Sequence, residues 1–341
     1  MTRITLKDVA ERAGVGVATV DRVLNERAPV SAATAARVLA AAEAVNYHAH
    51  GLLRRRIEEM APAKTLGFVL QKESKWFYQS LADELRKAAQ NLRSIRASVE
   101  ILFVESLSPD DLVKAVGQLQ GRVDAIGLVA VDHPKINKAV VSSAQAGIPV
   151  FALLSPLSAP EIAGYVGIDG RKAGRTAGWA MSKLMQASGS VGILIGSHRY
   201  LGHEALEVGF RSYLREYAPD IGLRDSVVYL DDTAVAYEAA AEILRVAPDL
   251  NGLYHCGGGV RGAVKALEEA GRAHEISYVC HEQSPTAVQG LLEGTVDLVI
   301  ASPVAEIATK ATRAMARAIG GEASTPAEMV AEFHVTTPEN C

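Results

Sequence analysis

From Lys64 onward the chain repeats one unit, a short β-branched run followed in most cases by a longer helical stretch. The strand-like runs fall near 65–70, 99–104, 124–130, 148–154, 164–168, 191–195, 226–230, 252–256, 276–280 and 296–301. Alternation of this kind builds parallel sheets with helices on both faces, because a parallel strand pair needs a crossover long enough to hold a helix. About ten strands exceed what one doubly wound unit of this size carries, so the pattern predicts an α/β core of two lobes.

The first fifty residues obey a different period. Leu6 to Arg12 reads as a short amphipathic helix, Ala13-Gly14-Val15-Gly16 as a tight turn and Val17 to Leu24 as a second helix. A loop through Pro29 leads to Ser31, which caps a third helix running to about Val45. The expected fold class is therefore α/β, a small all-α helix-turn-helix head before doubly wound parallel sheets. Formal net charge is -4, from 35 Lys and Arg against 39 Asp and Glu. Residues 1–56 nonetheless hold nine basic against five acidic side chains, about +4, which leaves about -8 for the rest and places any polyanion partner at the N-terminus. Apolar runs such as 125–131 are far shorter than the roughly 18 residues that span a bilayer, and the polar start lacks a signal-peptide core. A cytoplasmic protein without a membrane partner is expected. Cys256, Cys280 and Cys341 are odd in number and never paired as C-x-x-C, so neither a disulfide framework nor a zinc site is indicated.

A helix-turn-helix needs a small residue late in its first helix, a glycine where the turn demands positive φ, and a second helix whose first turn faces the groove. Ala10 and Gly14 fill the first two places, and Val9, Val15, Val20 and Val23 supply a buried face. Val17 and Ala18 then point at base edges, where apolar groups suit thymine methyls, and Arg22 one turn later reaches guanine O6 and N7. Thr19, Asn25, Ser31 and Thr34 are the expected phosphate contacts.

The run Leu6-Lys-Asp-Val-Ala-Glu-Arg-Ala-Gly-Val-Gly-Val-Ala-Thr-Val-Asp-Arg-Val-Leu-Asn25 resembles the signature of the LacI/GalR family of bacterial transcriptional regulators. The resemblance implies a type I periplasmic-binding-protein-like core behind the head, double-stranded operator DNA as partner, a small sugar or polyol effector, and a homodimer, with pairing into tetramers open. It implies no cofactor, no metal and no enzymatic activity. Gly16 and Asp21 stand where the family usually has Ser. A hinge resembling the family's runs from Asn46 to Ile57, with Ala49 for the usual proline and Arg56 near the usual leucine wedge, so Leu53 or Ile57 takes the wedge role. The implied domains are 1–46 for DNA, 47–62 for the hinge and 63–341 for the core. Its lobes are drawn at about 63–161 plus 292–321 and about 162–291 plus 322–341.

Ligands of open α/β sheets bind beyond the carboxyl ends of the strands. That rule nominates Gln71, Phe77 and Tyr78 after the first strand, Asp132 and His133 after the third and Asp169 after the fifth. It adds His198 and Arg199 after the sixth, with Glu204 nearby, Gly258 after the eighth and Glu282 after the ninth. Flat aromatics suit a sugar ring face, and carboxylates accept hydroxyl protons while repelling anions. By resemblance to sugar-binding lobes, Glu282 and Asp169 match acidic cleft positions, whereas the arginine often found before the Gly-Phe pair is replaced by Leu206. Gly257-Gly-Gly-Val-Arg-Gly262, with Glu282 twenty residues on, also satisfies a dinucleotide fingerprint. Hence the alternative to a carbohydrate or polyol operon repressor is a solute-binding or NAD-dependent enzyme-like α/β protein whose N-terminal helices mediate protein contacts. His203-Glu-Ala-Leu-Glu207 misses the final His of a zinc helix, and no G-x-S-x-G elbow occurs.

Overall fold

The computed structural model describes residues 4–25, 30–48, 61–185, 189–321 and 327–341. Residues 1–65 group with 89–98, and residues 66–88 with 99–341.

The head consists of α1 (Leu6–Ala13), α2 (Val17–Asn25) and α3 (Ala32–Ala44). Thr5 starts α1, its backbone N–H and hydroxyl both donating to Asp8 Oδ2 at 2.7 and 2.8 Å, and these bonds hold the Asp8 carboxyl below its usual pKa. Gly14 ends the helix at φ 64°, a left-handed conformation that costs glycine little. The chain therefore reverses tightly enough for α2 to pack across α1. Val9, Ala10, Val20, Val23, Leu24, Val38, Leu39 and Tyr47 close a small core. Ser31 caps α3 by accepting the Thr34 N–H at 3.3 Å.

The remainder forms two six-stranded sheets. The first part of the chain runs β1 (Ala63–Gln71), α4 (Trp76–Gln90), β2 (Arg96–Val104), α5 (Pro109–Leu119), β3 (Ala125–Leu128), α6 (Pro134–Gln145), β4 (Val150–Leu153) and β5 (Gly164–Ile168). It continues through α7 (Gly170–Leu184), β6 (Ser190–Ile195), α8 (Leu201–Tyr217), β7 (Gly222–Val228), α9 (Thr233–Val246) and β8 (Leu250–Cys256). Next come α10 (Val260–Glu269), β9 (Ser277–Cys280), α11 (Pro285–Glu293), β10 (Leu298–Ala301), α12 (Val304–Ile319), β11 (Ala327–Ala331) and β12 (His334–Thr336). The sheet orders are β11-β5-β4-β3-β1-β2 and β12-β10-β9-β8-β6-β7. Every described pairing is parallel except β10 with β12.

The lobe limits drawn from sequence need correcting. Strand β5 pairs with β4 in the first sheet, Phe151 opposite Gly164, although no helix separates the two. Residues 298–301 belong to the second sheet, whereas α12 packs on β3, β4, β5 and β11 of the first. The chain therefore passes between lobes at 168–170, 301–304 and 331–334. Strands β11 and β12, absent from the sequence reading, complete one sheet each. They are short and late, with neither the length nor the β-branched density that marked the others.

Packing fixes the parts that will carry the site. Strands β3, β4 and β6 are buried along their whole length, the expected state of parallel strands covered on both faces. Phe210 of α8 stacks on Tyr254 of β8 with ring centroids 4.0 Å apart and planes 12° from parallel. A Cβ on Gly174 of α7 would overlap the Leu206 carbonyl of α8, so this glycine lets the two helices touch and sets the height of the α8 N-terminus.

Candidate functional site

On α2 the apolar residues Val20, Val23 and Leu24 face inward, which turns Val17, Ala18, Arg22 and Asn25 outward. Thr19 is half-buried. The outward set contains the three residues nominated for base edges, presented by a helix whose inner face is fixed by packing. Asn25, nominated for phosphate, donates its Nδ2 to Asp21 Oδ1 at 2.7 Å. Ser31 and Thr34 lie together, their hydroxyl oxygens 2.9 Å apart. Leu53, Arg56 and Ile57 lie outside the described residues.

A cleft of about 940 Å³, open mouth included, lies where strand ends of the two lobes meet. The first lobe supplies Lys72, Lys75, Phe77, Tyr78, Val129, Leu154, Ser155 and Tyr165 to its walls; the second supplies Tyr200, His203, Leu206, Asp231, Gly257, Gly258, His281 and Glu282. Five hydrogen bonds among the described residues bridge it. Lys72 Nζ donates to the carbonyls of Leu230 and Asp231 at 3.0 and 2.8 Å, and Lys75 Nζ to Thr233 Oγ1 at 2.7 Å. The Gly202 N–H donates to Ser155 Oγ at 3.1 Å, and the Asp132 N–H to the Arg199 carbonyl at 2.7 Å.

Among the described residues, four buried polar atoms on the second lobe have no protein partner: the Tyr200 hydroxyl, His203 Nδ1, Asp231 Oδ1 and His281 Nδ1. A buried polar group without a partner costs about 1–3 kcal/mol, so a set of four lining one cleft is a place for a polar ligand. Three of its residues also hold non-glycine backbones at positive φ, Lys72 at 30°, Leu154 at 65° and Asp231 at 52°. Strain of this kind persists where surrounding structure imposes it, often at binding sites.

Burial pushes the Glu282 carboxyl up to about 7; neighbouring Asp231 adds to the shift, while Lys75, the Ser284 hydroxyl and the Gly259 N–H oppose it. Burial lowers His203, takes His255 down to about 4 and His281 to about 3, so these imidazoles are neutral at pH 7. Neutral His255 donates Nε2–H to the Gly258 carbonyl at 2.9 Å and accepts the Tyr278 O–H at Nδ1 at 2.8 Å, which braces the glycine loop. A Cβ on Gly258 would stand 2.5 Å from Glu282 Oε2, and one on Gly196 2.6 Å from Asp231 Oδ1. Two carboxyls and two ammonium groups thus share one largely apolar space.

Of the eleven residues nominated from sequence for the cleft, Phe77, Tyr78, Gly258 and Glu282 line it. The structure assigns the others elsewhere. Asp169 and His133 cap α7 and α6, accepting the N–H of Lys172 at 2.9 Å and of Lys135 at 3.2 Å. Asp132 accepts from Ser158, through its N–H at 2.9 Å and its hydroxyl. Gln71 is buried, its amide donating to the Val129 carbonyl at 3.0 Å. His198 stands 3.6 Å from Glu207, while the Arg199 and Glu204 side chains are exposed away from the cavity. Helix N-termini explain two of these placements, because free N–H groups claim polar side chains at the very strand-to-helix turns where ligands also bind. Lys72, Lys75, Tyr165, Tyr200, His203 and Asp231 were missed; His281 ends the ninth strand beside Glu282. The strand-end rule, applied to the seventh strand as to the others, reaches Asp231; Lys72 directly follows Gln71.

Comparison with known proteins adds to this geometry. A family model described as a periplasmic binding protein domain matches residues 66–323. A second, for bacterial regulatory proteins of the lacI family, matches residues 5–50. The HTH-type transcriptional regulator MalR of Streptococcus pneumoniae is 38% identical over 77 residues, 23% of either chain. GalR of Salmonella typhimurium is 35% identical over 85 residues, 25% of this chain and 24% of that one. The matched stretch therefore spans about a quarter of these relatives' length. Among solved structures, a transporter solute binding protein from Agrobacterium vitis bound with alpha-D-tagatopyranose is similar at TM-score 0.75 and 19% identity, over 81% of this chain and 95% of that one. A solute binding protein from Burkholderia graminis in complex with D-arabinose gives TM-score 0.75 at 20% identity, over 82% and 97%. One from Actinobacillus succinogenes with bound D-allose gives 0.74 at 22%, over 81% and 98%. At these identities the likeness concerns the fold.

Proposed function

The chain belongs to the lacI family of bacterial regulatory proteins, with a periplasmic binding protein domain behind its head, and from that premise we propose that it is a homodimeric repressor whose operator binding is set by a neutral, hydroxyl-rich effector. The observation that carries the effector class is the unpartnered set of Tyr200, His203, Asp231 and His281 beside Glu282, walled by Phe77, Tyr78 and Tyr165. Hydroxyls donate to carboxylates and accept from a tyrosine O–H, and a ring face packs on aromatics. The sugars held by three structural relatives fall in the same class.

In this reading Val17, Ala18 and Arg22 meet base edges and Thr19, Ser31 and Thr34 the phosphates. A single head buries too little surface for tight specific binding, so two act together on a near-palindromic operator. Effector binding selects one lobe arrangement, and the preference reaches the DNA as a coupling of roughly 1–3 kcal/mol. The test is anisotropy titration of a fluorescent duplex from the promoter of the protein's own operon, repeated with each of a panel of aldoses, ketoses and alditols. Operator binding that one neutral sugar or polyol shifts about 5-fold or more supports the proposal. Binding shifted only by phosphorylated or carboxylate metabolites overturns the effector class, and no binding to any promoter duplex overturns the repressor.

A further inference from the structure

Polar groups are distributed unevenly over the two walls of the cleft. The second lobe brings the four unpartnered atoms of Tyr200, His203, Asp231 and His281, together with the Glu282 carboxyl. Two glycines hold three of these side chains close. A Cβ on Gly196 would stand 2.6 Å from Asp231 Oδ1 and 3.0 Å from His203 Nδ1, and one on Gly258 2.5 Å from Glu282 Oε2 and 4.0 Å from Asp231 Oδ1. Ser302, directly after β10 of the second sheet, adds a hydroxyl from the same lobe.

The polar groups of the first lobe are spent on protein partners or reach across. Tyr165 donates its hydroxyl to the Ile168 carbonyl at 3.0 Å, and Ser155 Oγ accepts the Gly202 N–H at 3.1 Å. Lys72 gives two of its protons to carbonyls of the second lobe, and Lys75 gives one to Thr233. The Tyr78 phenol is held above its usual pKa by burial and then by Tyr200, Asp231 and Glu282, so its hydroxyl stands near the polar set of the other lobe. What the first lobe turns to the cavity is otherwise apolar: Phe77, Val129, Leu154, Ile168 and the Tyr165 ring, extended by Leu206 of α8.

The two walls make opposite demands on a ligand. Hydroxyls donate and accept, and so satisfy the unpartnered atoms of the second lobe. A hydroxyl laid on the apolar wall loses its water and gains no partner, whereas a methyl group there is better off out of water.

We propose that the effector is hydroxylated along one edge only: its hydroxyls meet the second lobe, and an apolar group, the methyl that a 6-deoxy sugar carries in place of a hydroxymethyl, packs on Phe77, Leu154 and Ile168 of the first. The inference rests on the reading of the cleft as a sugar or polyol site and narrows its class. It predicts that a 6-deoxy sugar binds roughly 5- to 150-fold more tightly than its fully hydroxylated parent.

The experiment is isothermal titration calorimetry of the full-length protein with matched pairs, namely galactose, mannose and glucose in both hands, each beside its 6-deoxy form. In every pair of which either member binds, the 6-deoxy sugar is expected to bind more tightly. Leu154→Asn supplies a second arm. Leu154 holds φ 65°, a left-handed backbone that asparagine adopts more readily than leucine, so the variant keeps the turn and sets an amide on the apolar wall. It is expected to narrow or reverse the difference within the pair, with circular dichroism to check that it is folded. A parent sugar that binds as tightly as its 6-deoxy form, or more tightly, overturns the proposal and leaves the sugar-site reading standing. An unchanged difference in folded Leu154→Asn overturns the placement of the methyl on this wall. If none of these hexoses binds but a pentose or alditol does, the proposal fails and the broader reading stands; if no neutral sugar or polyol binds, both fall.

Discussion

The head and the cleft differ in how far apart in sequence their working residues lie. Val17, Ala18, Arg22 and Asn25 share one helix, and the turn that presents it closes within a few residues at Gly14. The cleft gathers residues from 72 to 302 through two sheets. In the head local periodicity is enough, because once the buried side of α2 is known the outward side is determined. In the cleft, periodicity finds the strands and their ends but not which way a loop residue turns, and that depends on distant partners. Asp231 faces inward because the glycine at 196 leaves room for its carboxyl and because Lys72 of the other lobe takes its carbonyl. Asp169 follows a strand just as Asp231 does, yet a helix starts directly behind it and takes its side chain as a cap.

The same contrast governs the fold. The three head helices and the ten main strands were legible, since each is a local pattern of adequate length. The partition of strands between sheets was not, because the connection from β4 to β5 contains no helix to mark it as internal to a lobe. Residues 327–331 and 334–336 were invisible for the same reason, as they gain their identity only by pairing with β5 and β10.

The largest expected effect tests whether the head stands without the core. Phe210 is fully buried and stacked on Tyr254. Replacing it by Ala removes that packing and should cost about 3–5 kcal/mol. Thermal unfolding followed by calorimetry should then show the core transition moved down while the helical head keeps its own. A single transition that carries both regions down together would break the contrast.

A slightly smaller effect concerns Glu282. Its folded-state carboxyl is raised from 4.5 to about 7, so the folded protein holds a proton that the unfolded chain releases, and stability falls as pH rises through that window. At 1.36 kcal/mol per unit the full fall is on the order of 3 kcal/mol. His255 and His281, lowered from 6.5, act in the opposite sense and lose stability as pH falls below it. Glu282→Gln isolates the carboxyl, and urea unfolding at about pH 5 and about pH 8 should show the variant gaining on wild type as pH rises. An equal difference at both values would mean that the carboxyl is not desolvated in the folded state.

Arg22→Ala should weaken operator binding by roughly 1–3 kcal/mol with relaxed base preference, and leave both the core transition and any effector affinity measured without DNA unchanged. Unaltered operator affinity in the folded variant would remove Arg22 from the interface.

The smallest effect separates two roles that coincide at Ser31, which caps α3 and is nominated for phosphate. Ser31→Ala loses both roles and should cost the head about 0.5–2 kcal/mol, with weaker operator binding. Ser31→Asp keeps the cap, since aspartate accepts the same N–H groups at a helix start, but brings a charge that phosphate repels. The pair of variants therefore divides the effects. Head stability should be lost in Ser31→Ala and kept in Ser31→Asp, while operator affinity should fall in both, further in Ser31→Asp at low salt and less so as salt screens the repulsion. Full operator affinity in Ser31→Asp would assign Ser31 to the fold alone and move the phosphate contact to Thr34 or to the backbone amides of the same helix start.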